Sequence, residues 1–286
     1  MDYGYFPGCS LKSTAKEYDD TVRQLCRSFG INLIEIDDWV CCGSSPVHAL
    51  SEEISLALPL KNLSQAEGQG LKNILSPCPS CHSHMLCSHA EMEKEGSHRE
   101  RLQELAGSHY AGSLQLKHLV DFLYYDVGID KIKEKVTRPL TGIKAVAYYG
   151  CMTRFPGITF DDREMPTMID DIVQALGAEA LPWSHTTECC GASFSISKTE
   201  TVLRLVGEIL EAARLVNAGC IIAVCPLCQS NLDMRQVEIQ KKTGEIFNLP
   251  VIYLSQLILM SQGSSRQELG FSRHLIDPTP LLGVRG

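Results

Sequence analysis

Short apolar runs and helical stripes alternate along this chain, and they do so twice in the same order. Tyr3 to Phe6 and Ala145 to Tyr149 are apolar or aromatic runs that read as buried strands. Each leads into an amphipathic pattern. Leu11, Ala15, Tyr18, Val22, Leu25 and Phe29 recur at alternating spacings of four and three, and Met165, Met168/Ile169, Ile172/Val173 and Leu176 repeat that period. Both stripes stop at a glycine, Gly30 and Gly177, the residue for which a left-handed helix cap costs least. Ile31 to Ile36 and Ala178 to Trp183 predict second strands. Second helices follow over roughly Ser51 to Gln69, where Pro59 predicts a kink or a break, and along Val202, Val206, Ile209/Leu210, Ala213 and Val216. Asn73 to Leu75 and Cys220 to Val224 predict a third strand in each copy.

Strand, helix, strand, helix, strand is the grammar of an open parallel sheet covered by helices. The expectation is therefore an α/β protein of two similar Rossmann-like parallel-sheet domains, related by internal duplication, with their site residues at the C-terminal ends of strands. The expected boundaries are 1–140, 141–262 and a tail, 263–286, with the seam near Val136 to Gly142. The tail is polar with two apolar pairs, Leu275-Ile276 and Leu281-Leu282, and reads either as a docking arm or as disordered chain. A charge-rich insert around Glu91 to Gly107 predicts a surface helix.

Composition narrows this picture. At 286 residues and 44% apolar content the chain can bury a core in each half. Thirty-four acidic against 26 basic residues give a formal charge of -8, which offers no overall attraction to nucleic acid or an anionic membrane. The N-terminus lacks an export pattern, and the longest apolar stretch, Val251 to Met260, is about half a bilayer span. The reading is a cytoplasmic protein, free or within a large soluble complex, with no membrane span.

The thirteen cysteines carry the chemistry. Gly8-Cys9, Cys41-Cys42-Gly43 and Cys78-Pro79-Ser80-Cys81 return as Gly150-Cys151, Cys189-Cys190-Gly191 and Cys225-Pro226-Leu227-Cys228. The gaps are 32 and 38 positions from the first cysteine to the pair, then 36 and 35 to the last motif. An odd count, tight pairs and no export signal favour thiolate ligands or redox chemistry over a disulfide framework. The proline after Cys78 and Cys225 sets these cysteines at strand ends rather than inside helices. Five matched thiols per half is one more than structural zinc or a cubane cluster takes, and suits an open or extended iron-sulfur cluster. Structural zinc and unligated thiols remain as alternatives. No ferredoxin-type run, GxGxxG, Walker loop or HExxH is present, so this chain is expected to bind neither flavin nor nicotinamide, and its electrons to come from another protein.

Tyr5 to Cys9 (YFPGC), the WVCCGS and TECCGA segments, CPSC, CPLC, and Tyr148 to Cys151 followed by Arg154 and Pro156 together resemble the duplicated cysteine-rich CCG domains of the HdrB-type component of heterodisulfide reductase, over roughly residues 1 to 262. The resemblance implies two noncubane [4Fe-4S] clusters, one held by Cys9, Cys41, Cys42, Cys78 and Cys81, the other by Cys151, Cys189, Cys190, Cys225 and Cys228. It implies a disulfide reductase, the catalytic member of a complex with a flavoprotein (HdrA-type) and a small ferredoxin-like protein (HdrC-type) that supplies electrons. The reaction implied is the two-electron reduction of the coenzyme M–coenzyme B heterodisulfide or a related thiol pair, in either direction. Similar signatures occur in iron-sulfur subunits of other oxidoreductases, so a non-catalytic electron-transfer subunit serving a quinone or flavoprotein is the second reading, and a zinc-stabilised scaffold the third.

Other residues carry weaker expectations. Arg154 and Lys198 flank second-copy cluster segments and are candidates for gripping an anionic substrate. His82 and His84 follow the first CPxC, but Gln229 and Asn231 stand in their place in the second, which favours structural roles; His185 reads as a loop residue. Cys26 and Cys220 read as core and Cys87 as a surface thiol. Gly8, Gly43, Gly150 and Gly191 are expected to let the backbone approach the cluster sulfides.

Overall fold

The first strand, β1 (Asp2–Tyr5), runs straight into a short helix, α1 (Gly8–Lys12), and then into α2 (Lys16–Ser28). The single stripe read from Leu11 to Phe29 is thus two helices, because the Ser13 hydroxyl donates to the Cys9 carbonyl (2.7 Å) and closes α1 early. The structure, a computed structural model, describes residues 1–44, 46–155 and 160–283, so Pro156 lies outside the described residues. After Gly30, which takes the expected left-handed conformation, come β2 (Asn32–Glu35), α3 (Pro46–Leu50) and α4 (Glu52–Gly68). Pro59 sits inside α4 without ending it. The half continues with β3 (Asn73–Ser76), α5 (Pro79–Met92), the expected surface helix α6 (Ser97–Ala106) and β4 (Gln115–His118).

Helix α7 (Leu119–Asp121), a π-helical stretch (Phe122–Gly128) and α8 (Ile129–Glu134) lead across to the second half. There the elements are β5 (Lys144–Tyr148), a 3-10 turn (Gly150–Arg154), α9 (Met168–Ala175), β6 (Glu179–Ala180), a 3-10 turn (Ala192–Phe194), α10 (Thr199–Leu215), β7 (Cys220–Ala223), α11 (Pro226–Thr243), β8 (Val251–Tyr253) and α12 (Leu254–Ser261). The sheets are all parallel and share one permutation, β2-β1-β3-β4 and β6-β5-β7-β8. This is the duplicated Rossmann-like architecture that the patterns predict. Each sheet has one strand more than the patterns gave, with Ser76 registered on His118 and Ala223 on Tyr253.

The halves share a core. Helix α2 of the first packs on α12 of the second, and Tyr18, Val22, Leu25, Leu257 and Ile258 are fully buried among residues of both sheets. Each such side chain contributes roughly 1.5–3 kcal/mol by leaving water. The Thr21 and Ser255 hydroxyls hydrogen-bond across the same contact at 2.8 Å. Two outer cores, one under α4, α5 and α6 and one under α10 and α11, cover the far faces of the sheets.

The tail folds back onto the molecule. Leu269, Phe271 and Leu281 are buried, and the Asp233 carboxylate of α11 accepts from the backbone N–H groups of Leu275 (2.6 Å) and Ile276 (3.1 Å). His274 stands between the side-chain amides of Gln229 (3.1 Å) and Gln256 (2.9 Å).

Candidate functional site: two thiol sets that meet

Parallel strands end on one edge of a sheet, and here every motif cysteine follows a strand end. Cys9 lies in α1 after β1, and Cys151 in the 3-10 turn after β5. The pairs Cys41-Cys42 and Cys189-Cys190 occupy the loops that leave β2 and β6. Cys78 and Cys225 take extended conformations as N-caps of α5 and α11, each with proline at the first helical position, and Cys81 and Cys228 sit one turn in. The proline supplies no N–H where none is needed and fixes the turn between strand and helix.

Side chains pin these loops differently in each half. Asn62 of α4 accepts from the Val40 N–H (2.8 Å) and donates to its carbonyl (2.9 Å), which fixes the approach to Cys41. In the second half Asn231 of α11 donates to the Cys190 carbonyl (2.8 Å), and the Tyr148 hydroxyl to that of Glu188 (2.6 Å). Gly8 has φ +71°, and a Cβ there would lie 2.9 Å from the Cys81 sulfur. A side chain at this position would press into the space between the thiols. Around Gly43 and Gly191 the crowding comes instead from α4 and α10 side chains and from Val47, not from the thiols.

The sulfurs fall into the same pairs in both copies. Cys9 and Cys41 Sγ are 3.8 Å apart, and Cys42 and Cys81 Sγ 3.3 Å; Cys151 interacts with Cys189 and Cys190 with Cys228. In three of these pairs one thiol's proton stabilises the other as thiolate, whereas Cys42 and Cys81 are both raised. Cys189 is lowered to about 6 chiefly by the Cys151 thiol, while Cys151 is raised by Cys189. Cys41 is lowered by the thiols of Cys42 and Cys9, and Cys9 is raised by Cys41. Cys41, Cys189 and Cys190 are thus poised as thiolates, whereas neighbouring thiols and burial push Cys9, Cys42, Cys81, Cys151 and Cys228 up. At the seam Cys78 and Cys225 interact directly, and Cys78 is held well below the usual thiol range by Cys225 and then Cys81. The two sets therefore join.

A narrow crevice with room for about 50 Å³ opens beside this junction. Its walls carry Cys151, Cys189, Cys190, Cys225 and Cys228 with apolar Met152, Phe155 and Leu227, and the first half contributes Pro79 and Ser80. Among the described residues no three His, Cys, Asp or Glu side chains are grouped to hold a single metal ion. The ten thiols form contacting pairs, a soft sulfur donor set whose chemistry fits iron-sulfur ligation.

The remaining candidates lie elsewhere. Arg154 and Lys198 are exposed, and neither lines the crevice. His82 is buried, with Nδ1 lacking a partner and its ring 5.8 Å from that of His118; burial lowers both imidazoles, His118 to about 4. His84 is half-buried near His48, and His185 hydrogen-bonds Ser184 in its loop. Cys26 and Cys220 are core residues and Cys87 is half-buried on α5. Sequence reasoning gave no role to Asn62, Asn231, His118 or Tyr253, and read Tyr18 only as a member of an apolar stripe. The Asn-to-loop and Tyr-to-carbonyl bonds join distant residues, so no local spacing marks them.

Fold and site together define a duplicated α/β protein with paired thiol sets on adjoining sheet edges. The chain belongs to the CCG cysteine-rich domain family, whose model matches residues 3–86 and 145–233. It is 31% identical over 284 residues to the 8-methylmenaquinol:fumarate reductase membrane anchor subunit of Wolinella succinogenes, covering 98% of this chain and 99% of that one. It is 26% identical over 280 residues to the B subunit of the ferredoxin/F(420)H(2)-dependent CoB-CoM heterodisulfide reductase of Methanosarcina acetivorans, covering 95% and 92%. A solved structure of a hypothetical protein from Helicobacter pylori superposes with a TM-score of 0.77 at 12% identity, over 96% of this chain and 52% of that one, which concerns the fold alone. Among the described residues no helix is long and apolar enough to cross a membrane.

Proposed function

We propose that this chain is the catalytic iron-sulfur component of a multisubunit oxidoreductase, reducing a small-molecule disulfide by two electrons or running the reverse thiol oxidation. Cys9, Cys41, Cys42, Cys78 and Cys81 hold one noncubane [4Fe-4S] cluster, and Cys151, Cys189, Cys190, Cys225 and Cys228 the other. The observation that carries this reading is the interaction of Cys78 with Cys225, which joins the two ligand groups beside a crevice lined by the second set and by Pro79 and Ser80 of the first CPxC turn. Such clusters supply electrons one at a time, whereas cleaving a disulfide takes two. The chain's own part is to hold both thiol sets at that junction and to keep water from it with Met152, Phe155 and Leu227. Electrons reach it from a small ferredoxin-like protein and a flavoprotein of the same complex, a reading supported by the likeness to the heterodisulfide reductase component.

The 31% identity to a menaquinol:fumarate reductase subunit favours a second reading, in which the same array conducts electrons between a quinol and a partner and never binds a disulfide. Iron, zinc and acid-labile sulfide are to be measured on protein purified without oxygen, followed by EPR during titration with the coenzyme M–coenzyme B heterodisulfide and, separately, a menaquinol analogue. About eight irons and eight sulfides, with a paramagnetic signal appearing on disulfide addition, is the expected result. A response to the quinol analogue alone selects the second reading. Stoichiometric zinc with little iron overturns both.

A further inference from the structure

One side chain touches both halves of the site. Tyr18 of α2 is fully buried, and its hydroxyl lies 2.9 Å from the Val224 carbonyl oxygen and 3.3 Å from that of Pro77. These are the residues immediately before Cys225 and Cys78, the two thiols that interact across the seam. The single hydroxyl proton is shared between the two carbonyls, mainly toward Val224, so each strand-to-helix turn is referred to the same atom.

The ring is fixed as firmly as the hydroxyl. It stacks on Tyr253, with centroids 4.0 Å apart and an interplanar angle of 3°. Tyr253 ends β8 and donates its own hydroxyl to Gln229, the residue after Cys228 (3.2 Å). On the other side His118 ends β4 and donates Nε2–H to the Pro77 carbonyl (3.0 Å) while Nδ1 accepts from the Val120 N–H, which fixes the tautomer. Both CPxC turns thus meet at Tyr18 through rigid, buried contacts.

The duplication does not account for this residue. With the helix-ending glycines Gly30 and Gly177 aligned, Met165 stands opposite Tyr18; it is exposed and precedes α9. One tyrosine of the first half thus serves both CPxC turns, with no counterpart from the second.

We propose that Tyr18 is a positioning residue that sets the spacing between the two thiol sets, and through it the interaction between the redox centres they hold. This rests on the iron-sulfur reading above. The test is made on holoprotein purified without oxygen, comparing Tyr18→Phe, which keeps the stacked ring and removes only the hydroxyl, with Thr21→Val, which removes the inter-half hydrogen bond to Ser255 and leaves the Tyr18 hydroxyl in place. The readout is the spin-spin splitting between the two paramagnetic centres, alongside iron and sulfide content. The splitting is expected to shrink or vanish in Tyr18→Phe and to persist in Thr21→Val. Unchanged splitting in Tyr18→Phe, or equal loss in both variants, overturns the proposal. Should Tyr18→Phe not fold, Tyr253→Leu removes the ring that holds Tyr18 in place, together with the bond to Gln229, and leaves the Tyr18 hydroxyl; the same direction of change is expected as Tyr18 loosens, and an unchanged splitting there overturns the proposal equally. Unmutated protein without iron would overturn the iron-sulfur reading itself, a result distinct from either.

Discussion

The first half of the molecule surrounds its thiols with histidines, and the second half surrounds the same thiols with amides, tyrosine and the chain's own tail. His82 and Gln229 occupy matching positions after CPxC, as do His118 and Tyr253 at the ends of β4 and β8. Gln229 is fully engaged, donating to the Val251 carbonyl (3.1 Å), accepting from Tyr253 and meeting His274. His82 leaves Nδ1 without a partner. The sulfur pairing is nevertheless the same in both copies. The strand-end placement of the cysteines therefore does not depend on the layer behind them, and duplication left that layer free to diverge.

The sharpest way to break this comparison is to remove one thiol at a time. On the proposal that each set holds its own cluster, Cys41→Ser and Cys189→Ser are each expected to lose about half of the iron and sulfide, while Cys26→Ser, a fully buried core thiol, keeps all of it. Metal and sulfide analysis per folded chain decides the matter. Equal iron loss in all three variants would sink the ligand assignment, and total loss from either single variant would show that the two sets are filled only together.

Buried carboxyls extend the contrast to stability. Asp233 in the second half gives both oxygens to tail N–H groups, whereas Asp121 in the first keeps Oδ1 without a partner. Asp233→Ala strands two N–H groups and is expected to cost about 3 kcal/mol in denaturant unfolding. Asp121 is pushed up to about 7, chiefly by burial. Below about pH 4 the folded and unfolded chains both hold its proton. As pH rises to about 7 the unfolded chain releases a proton that the folded chain keeps, so stability falls across that window and levels off above it. Asp121→Asn should flatten this slope and gain on the order of 2 kcal/mol at pH 8, after discounting for partial exposure. An unchanged pH profile would show that the carboxyl has found a partner in solution.

Much of this arrangement is legible in the sequence because it is local. The alternating strands and helices, the glycines that end α2 and α9, and the extended Cys78 and Cys225 before proline all follow from spacing and residue type. The fourth strands escape for physical reasons. β4 is Gln-Leu-Lys-His, a polar sheet-edge strand without an apolar run, and β8 merges into the apolar stretch of α12, so no period separates them. The tail's anchors Leu269, Phe271, His274 and Leu281 are too scattered to form a stripe. Arg154 and Lys198 are near motif cysteines in sequence, but both are exposed and neither lines the crevice. The encounter of Cys78 with Cys225, 147 positions apart, has no linear signature.

The smallest expected effects come from exchanging the two residues that distinguish the halves. Gln229→His removes a partner from the Val251 carbonyl, from the Tyr253 hydroxyl and from His274, and should lower stability by about 1–2 kcal/mol. His82→Gln takes away a ring nitrogen that is already unpartnered and brings an amide that can reach toward the Leu116 carbonyl, the first-half counterpart of Val251 in the sheet register. Its expected cost is below about 1 kcal/mol. Denaturant unfolding of the two variants side by side measures the asymmetry. If His82→Gln proves as costly as Gln229→His, the first half depends on its histidine as much as the second depends on its amide, and the two supporting layers are equally committed.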